Sequence, residues 1–329
     1  MGRVKTNLLV LFILIVTNVS FAQKRTAFLD YKRTKCIYTL ADGKLNGDYI
    51  SYYYNGNKKS EGKLENGYRT GRWIVWDSTG RKRMERVYKN PFEYERIFPA
   101  IPNEGPVPLL IENKFRLEYD SNGIIKYDLL KAENALWRHK FWRYIEPSNN
   151  QILFAKDKLF NLFKNLALGG QIELYEAIDD RFTTVLQKEA VKKLFDIGNA
   201  EVVAFEIKEE KVFDMGRLSS EYRILGICPI VKINDQMREL FWIYYPDTRK
   251  FLGKEKLAQK TSAKIRTLDD LFILRGFSST IIKSTIDNPY DKFIKNYQNI
   301  TPKGILEEQE SIELTIIEAE NNLWIALTK

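Results

Sequence analysis

The side chains that could perform catalysis are few and scattered in this chain. His139 is the only histidine, so its count excludes a histidine-rich metal site. It lies between Arg138 and Lys140, whose charges would discourage its protonation, and we expect a half-packed or exposed residue rather than a catalytic base. Cys228 stands in the apolar segment GICPI, where a thiol is typically a small buried hydrophobe rather than a nucleophile. Neither residue predicts an active site.

Paired acidic residues are the remaining candidates for acid–base chemistry. Asp179-Asp180, Glu209-Glu210 and Asp269-Asp270 could supply the two carboxylates, ~5–10 Å apart, that sugar cleavage requires. Adjacent carboxylates usually diverge, however, and Asp269-Asp270 stand at a predicted helix start, where negative charge favourably meets the helix dipole. Gly169-Gly170 lacks a following phosphate-cradling Lys-Ser/Thr sequence and predicts a helix end. The sequence therefore disfavours an envelope hydrolase and predicts neither an enzyme nor a cofactor site.

A basic cluster is a candidate for contact with an anionic envelope surface. Arg81, Lys82, Arg83 and Arg86 are the densest group of positive charges in the chain. A solvated hairpin edge, which its charges protect from strand addition, is the simpler interpretation.

Aromatic residues beside arginine are candidates for a protein interface. Trp242, Tyr244, Tyr245 and Arg249 combine the residue types that are enriched in interface hot spots, although packing in a core explains them equally well. The full candidate interface comprises Trp137, Trp142, Trp242, Tyr244, Tyr245, Arg249, Phe277 and Tyr290.

The start of the chain predicts export. Arg3 and Lys5 precede the apolar residues 8–16, and Ser20 and Ala22 lie where signal peptidase would cleave. This run is too short to span a hydrocarbon core of ~30 Å, so we expect residues 1–22 to be a cleaved signal peptide and the mature chain to be soluble. Cleavage removes two of the positive charges and lowers the net charge from +9 to +7. This dispersed excess suits an acidic or anionic-lipid partner better than nucleic acid. Two cysteines permit a disulfide in that compartment but do not predict a disulfide scaffold.

An internal repeat occupies residues 42–90, after a lead-in segment of residues 23–41. Gly47 and Gly71 are 24 residues apart, as are Gly56 and Gly80, and each unit has an aromatic segment, a turn signal and a charged return segment. This pattern predicts one β-hairpin per unit. It resembles the MORN-variant repeats of bacterial proteins, but two units are fewer than the ~3 that usually bury a continuous core. We therefore expect the hairpins to pack on a neighbour or extend a sheet.

The rest of the chain predicts a proline-rich linker over residues 91–126 and an α+β domain over residues 127–329. Half of the ten prolines crowd the first part of the linker. Hydrophobic patterning predicts helices at 135–145, 159–166, 247–253, 267–275, 290–297 and 303–327, with Thr267 and Asp270 spaced as a capping box. Strands are predicted at 171–175, 201–207, 222–233 and 239–245, the last apolar enough to be buried on both faces. Helices and strands are segregated rather than alternating, which indicates an α+β fold.

The motifs of this second domain resemble, in order, those of the GldN family, also called PorN. They are LWRHKFWRYI, GGQIELYEAIDDRF, KEEKVFD with YRILGICPIV, LFWIYYPDTRKFL, LDDLFILRGFSS, NPYDKFIKNY and NNLW. No single motif is specific, but seven of them in the family's order over some two hundred residues make the resemblance strong. The chain departs from the family pattern in its repeat region and at Lys292, where the family usually has arginine.

This resemblance implies a periplasmic, non-enzymatic structural subunit of the type IX secretion and gliding machinery of Bacteroidetes. It implies ring assemblies of many copies with a GldK/PorK-like outer-membrane lipoprotein, and contact with a GldL–GldM-like motor complex. Membrane contact would come only through these partners, with no nucleic acid and no catalytic residues. The alternative is a periplasmic MORN-type module that binds a protein or another envelope component and uses the GldN-like domain as an anchor.

Overall fold

The computed structural model describes residues 22–30, 33–41, 44–91, 93–98, 117–196, 201–257 and 265–328. The predicted signal peptide, apart from Ala22, and residues 99–116 of the predicted linker lie outside these ranges. Within them, no helix combines the length and the apolar composition that a membrane span requires.

The described N-terminal strands form one antiparallel sheet of seven strands that follow one another in chain order. They are β1 (Gln23–Asp30), β2 (Arg33–Ala41), β3 (Lys44–Tyr52), β4 (Lys58–Glu65), β5 (Tyr68–Trp76), β6 (Lys82–Asn90) and β7 (Glu93–Phe98). The predicted hairpins are confirmed as β3–β4 and β5–β6. Gly56 and Gly80 close their turns at a φ of 85°, a conformation that favours glycine. The sheet also takes in β1, β2 and β7, so the hairpins extend a larger sheet, while their kinship with MORN repeats stays a prediction.

A second sheet forms the framework of the C-terminal part. Its strands are β8 (Ala135–Ile145), β9 (Glu201–Asp214), β10 (Ser219–Ile233), β11 (Gln236–Glu239), β12 (Ile243–Tyr244) and β13 (Thr280–Ser284). They are antiparallel in the order β11-β10-β9-β8-β13, and β12 also pairs with β10. Strand β9 continues seven residues beyond the predicted 201–207, which places Glu209 and Lys211 inside the sheet.

The prediction of a helix over residues 135–145 is wrong, because this segment is strand β8. Phe141, Trp142 and Arg143 are buried in succession at 0%, 3% and 2% exposure. From Phe141 to Arg143 both faces of this inner strand are covered, so buried residues do not alternate there, and the closely spaced aromatic residues imitate the broad stripe of a helix.

Two other strand predictions are wrong in part. The segment 171–175 pairs only through isolated bridges from Tyr175 to Val185 and Trp242. The segment 239–245 breaks between β11 and β12, and a helix begins at Tyr245, where the next residue, Pro246, fits the first helical turn.

Six α-helices lie in the described part of the chain. They are α1 (Gln151–Phe154), α2 (Lys158–Leu168), α3 (Lys188–Leu194), α4 (Tyr245–Leu252), α5 (Leu268–Ile273) and α6 (Pro302–Leu327). The predictions of α2, α4, α5 and α6 are confirmed, whereas 290–297 holds only a 3₁₀ turn, Ile294–Asn296. Thr267 caps α5 by accepting a hydrogen bond from the backbone N–H of Asp270. The Asp270 carboxylate reaches back to the N–H of Arg266 rather than to that of Thr267, so the capping box is formed only in part.

Helix α6 joins the two sheets. Ile317 and Trp324 of α6 lie in the core of the N-terminal sheet with Trp73 and Met84. Phe213 of β9 belongs to the same core, while the larger core of the second sheet lies under α1, α2, α4 and α5. The two sheets therefore share buried apolar groups and pack as one body.

Candidate binding site between the two sheets

The predicted interface residues lie mostly in the core of the C-terminal part. Trp142, Trp242, Tyr245, Arg249 and Phe277 are buried, and Trp137 and Tyr244 are half-buried. Tyr290 is 80% exposed and is the one member of this set that presents most of its surface to solvent. The role of these residues in a protein interface stays a prediction.

Buried contacts account for several of these aromatic residues. The indole N–H of Trp142 donates to Asp180 at 2.9 Å, and that of Trp242 donates to the carbonyl of Ala177 at 3.0 Å. Tyr245 donates to Asp269 at 2.8 Å, and Arg249 joins the same carboxylate with two hydrogen bonds of 2.9 Å. These side chains therefore fix the loops and helices of the domain against its sheet.

The basic cluster separates into different environments. Arg81 is exposed, and Lys82 pairs with Glu85 at 2.6 Å. Arg83 pairs with Asp77 at 2.8 Å, whereas Arg86 is only 2% exposed and points towards the second sheet. The four charges do not form one patch, and their contact with an anionic surface stays a prediction.

The other groups with reactive potential have structural environments. His139 is half-buried on β8, where burial lowers its pKa and its ring nitrogen lies 3.2 Å from the hydroxyl of Thr285. Cys36 and Cys228 are free and buried, and burial raises the pKa of Cys36 to about 11. Asp179 accepts hydrogen bonds from its own turn. In the described ranges, no three His, Cys, Asp or Glu side chains are grouped so that they could hold a metal ion.

A cleft of about 730 Å³ lies between the two sheets. Strands β5, β6 and β7 supply one wall, and β9, β10, α6 and residues 117–129 supply the other. Its basic lining residues are Arg69, Arg86, Arg96, Lys126, Lys211, Arg217 and Arg275. Tyrosine rings of Tyr68, Tyr88, Tyr94, Tyr127 and Tyr222 line it as well. This volume lies in the range of ~300–1,000 Å³ that is typical of small-molecule sites.

One buried charge group lies where the cleft meets the second sheet. Glu209, at 0% exposure, accepts from Arg143 at 2.5 Å and from Arg275 at 2.6 and 3.1 Å. Tyr68 of β5 and Tyr222 of β10 meet edge to face at 5.3 Å, and the Arg275 guanidinium lies 4.4 and 4.5 Å from their ring centres. Through Tyr68, the N-terminal sheet thus contacts the charge group of the C-terminal part.

A second charge group joins β5, β9 and α6. Glu320 pairs with Arg69 and Lys211, each at 3.0 Å, and Arg69 also donates to Asn321 at 3.1 Å. Burial alone would raise the pKa of Glu320, but Lys211 and Arg69 lower it. Sliding one sheet past the other would separate these partners and leave a buried charge uncompensated, which is unfavourable. This group therefore favours one register of the two sheets.

Arg86 is the third charged feature of the cleft lining, after the two charge groups. It donates to the carbonyl of Leu218, and its guanidinium lies 4.3 Å from the ring centre of Tyr94 and 4.9 Å from that of Trp324. Among the described residues it has no ion pair, and its Nε and Nη1 have no hydrogen-bond partner. The three arginine groups give the cleft a wall of hydrogen-bond donors.

Of the residues in these charge groups, the sequence singled out Arg86, in its basic cluster, and Glu209, in an acidic pair. Arg69, Lys211 and Glu320 stand beside polar residues that a surface strand or helix would also have, and Arg275 follows the apolar residues 271–274, where a helix end is predicted. The sole available signal was the run of charges inside the motif KEEKVFD, which continues a predicted strand that is otherwise buried.

Comparison with known proteins identifies one part of the chain. A family model described as gliding motility associated protein GldN matches residues 130–325. The match covers the second sheet and most of α6, and it leaves β1 to β7 outside. No curated protein matches the chain. The cleft thus lies between the family domain and an N-terminal sheet that the family match does not include.

Proposed function

We propose that this chain, which belongs to the family of gliding motility associated protein GldN, is a structural and non-enzymatic subunit of a type IX secretion and gliding machinery. The family match over residues 130–325 is the observation that carries this proposal. Under this proposal, the mature protein lies in the periplasm and forms rings with a GldK/PorK-like outer-membrane lipoprotein. It contacts a GldL–GldM-like motor complex, and it reaches the membrane only through its partners.

The environments of the reactive groups support a structural role. The acidic pairs of the sequence serve the fold, since Glu209 joins two arginines, Asp269 joins Tyr245 and Arg249, and Asp179 closes a turn. Burial raises the pKa of Cys228 well above its usual value, which opposes formation of the nucleophilic thiolate.

Contacts across the joint make the N-terminal sheet and the family domain one packed unit, which suits the structural subunit and also the alternative, a MORN-type binding module that uses the GldN-like domain as an anchor. Trp324, from the family domain, is 1% exposed in the core of the N-terminal sheet, and the ion pair of Arg69 with Glu320 spans the same joint. Deletion of the repeat would therefore expose the core, so point changes on the surface are the better test.

Two exposed tyrosines provide matched changes. Tyr290 lies in the family domain at 80% exposure, and Tyr54 lies at the β3–β4 turn at 66% exposure. Tyr54 contacts the guanidinium of Arg33, but neither ring belongs to a core, so replacement with alanine should leave the fold intact.

The test is purification of the tagged mature protein from detergent-treated cell envelopes, followed by the mass of the intact particle and identification of its components. We expect a very large particle that contains a GldK-like lipoprotein. Tyr290→Ala should reduce the particle's mass or its lipoprotein content, whereas Tyr54→Ala should not. Loss with Tyr54→Ala alone would support the MORN-type module. A wild-type monomer or small oligomer without the lipoprotein would refute the structural role.

A further inference from the structure

The cleft between the sheets carries more positive charge than its own acidic residues neutralise. Each acidic side chain in its described lining already has a cationic partner. These pairs are Glu93 with Lys89, Glu118 with Lys126, Asp128 and Glu221 with Arg217, and Glu320 with Arg69 and Lys211. None of these described carboxylates pairs with Arg86, and the lining holds seven basic side chains against five acidic ones.

Arg86 is the main uncompensated group. Its side chain is 2% exposed, its one hydrogen bond in the described part of the chain goes to the neutral carbonyl of Leu218, and Nε and Nη1 remain unpartnered there. The rings of Tyr94 and Trp324 at 4.3 and 4.9 Å stabilise a cation but accept no conventional hydrogen bond from it. A buried charge is unfavourable unless it is paired and hydrogen-bonded, so an anion would complete this environment.

Five further residues that line the same cleft have an unpartnered donor, and three of these donors belong to the charge groups described above or to the tyrosine packed on them. Nε of Arg275, Nη1 of Arg69 and the hydroxyl of Tyr68 are buried and have no hydrogen-bond partner among the described residues. Arg69 shares Glu320 with Lys211, so positive charge is in excess in that group. Arg275 shares Glu209 with Arg143, which also lies 3.9 Å from Glu313, so the charges of this second group balance. Guanidinium groups donate hydrogen bonds and cannot accept them, which makes an acceptor-only oxyanion their complement.

We propose that this cleft binds a small organic anion whose phosphate or carboxylate oxygens accept hydrogen bonds from Arg86. Arg69 adds positive potential and a donor to the same wall, Arg275 adds a donor, and the tyrosine rings pack against the body of the ligand. Arg86 and Tyr68 lie outside residues 130–325, so the site is a property of the joint between the two sheets rather than of the family domain alone.

Titration calorimetry on the full mature chain tests the proposal, with inorganic phosphate and citrate as separate probes at low ionic strength. Arg83→Gln is the matched control for Arg86→Gln, because both arginines lie on β6 but Arg83 pairs with Asp77 and does not line the cleft. We expect one site per chain in the wild type and in Arg83→Gln. Affinity should fall about 10- to 100-fold in Arg86→Gln, the loss that corresponds to a charged hydrogen bond.

Tyr68→Phe tests the same site without removing a buried charge. It deletes only the unpartnered hydroxyl and keeps the ring against Tyr222, so the variant should fold like the wild type. We expect its affinity for the bound probe to fall about 3- to 10-fold. Binding of phosphate alone would indicate a phosphorylated ligand, and binding of citrate alone a carboxylate. The proposal is overturned if folded wild-type protein binds neither probe at millimolar concentration, or if Arg86→Gln and Arg83→Gln bind alike.

Discussion

Glu206 is expected to make the stability of this protein fall as the pH rises from 6 to 8. Its side chain is 2% exposed on β9, opposite Cys228 of β10 and Tyr144 of β8, and the described residues offer its carboxylate no hydrogen bond. Burial raises its pKa from 4.5 to about 8, with further contributions from Glu239 and Asp180 that outweigh Lys283 and Lys295. The raised pKa therefore predicts a protonated carboxyl in the native state at neutral pH.

The sign and size of the effect follow from proton linkage. Because the pKa is raised in the folded state, the stabilising contribution is complete below pH 4.5 and is lost as the pH rises through about 8. Each pH unit between these values costs about 1.4 kcal/mol of unfolding free energy. Allowing for partial ionisation near pH 8, the loss between pH 6 and pH 8 is about 2 kcal/mol.

Glu206→Gln keeps the shape of the protonated side chain and cannot ionise, so it should remove this loss. Urea unfolding at pH 6, 7 and 8 measures it, with the difference between variant and wild type compared at each pH. The variant should gain about 2 kcal/mol over the wild type from pH 6 to pH 8. Glu210→Gln is the control, because Glu210 lies on the same strand but its carboxylate pairs with Arg138 at 2.9 Å. Parallel profiles for Glu206→Gln and wild type would show that the carboxylate is ionised in the native state and would refute the reasoning.

Three further changes test the packing. Gly62→Ala should destabilise by about 1–3 kcal/mol, read from the urea midpoint, because an added Cβ would lie 2.3 Å from the Trp73 ring. Trp324→Ala should cost about 3–5 kcal/mol and still give one transition by tryptophan fluorescence and far-ultraviolet circular dichroism, and separate transitions would contradict the shared core. Tyr245→Phe should cost about 1–3 kcal/mol in the same assay, because it removes a hydrogen bond to the buried Asp269, and an unchanged midpoint would show that this bond contributes nothing.

The elements that were predicted correctly are those whose sequence signals lie within the element itself. The hairpins followed from turn residues such as Gly56, and α6 followed from a long periodic segment. Strand β8 was missed because side chains distant in sequence cover both of its faces: Phe141 clusters with Ile316 of α6, and Trp142 clusters with Trp242. Its partner β9 also begins 56 residues after β8 ends. In the sequence, burial on both faces by distant residues is visible only as a continuous apolar run. A buried helix has the same kind of run, so the pattern does not distinguish the two.

The charged part of the site was beyond prediction for a related reason. Arg69 and Glu320 are 251 residues apart, and neither has a local feature that separates a buried ion pair from two solvated charges. Arg86 was identified within its cluster, but its burial depends on α6 and on Leu218, which only the tertiary structure places beside it. Composition suggested an anionic partner, whereas the geometry locates the unpaired donors inside the molecule.

The chemistry of the joint indicates why the N-terminal sheet and the family domain act as one body. An apolar joint would tolerate sliding, since hydrophobic contact is not directional. Here Arg69 must meet Glu320 while Tyr68 meets Arg275, and a shift of one residue along β5 would turn both side chains to the wrong faces of the sheet. The buried charges thus fix the register of the sheet on α6. Arg86 lies at the same joint and has no carboxylate partner among the described residues. The joint that specifies the architecture therefore also contains the site that we propose for an anion.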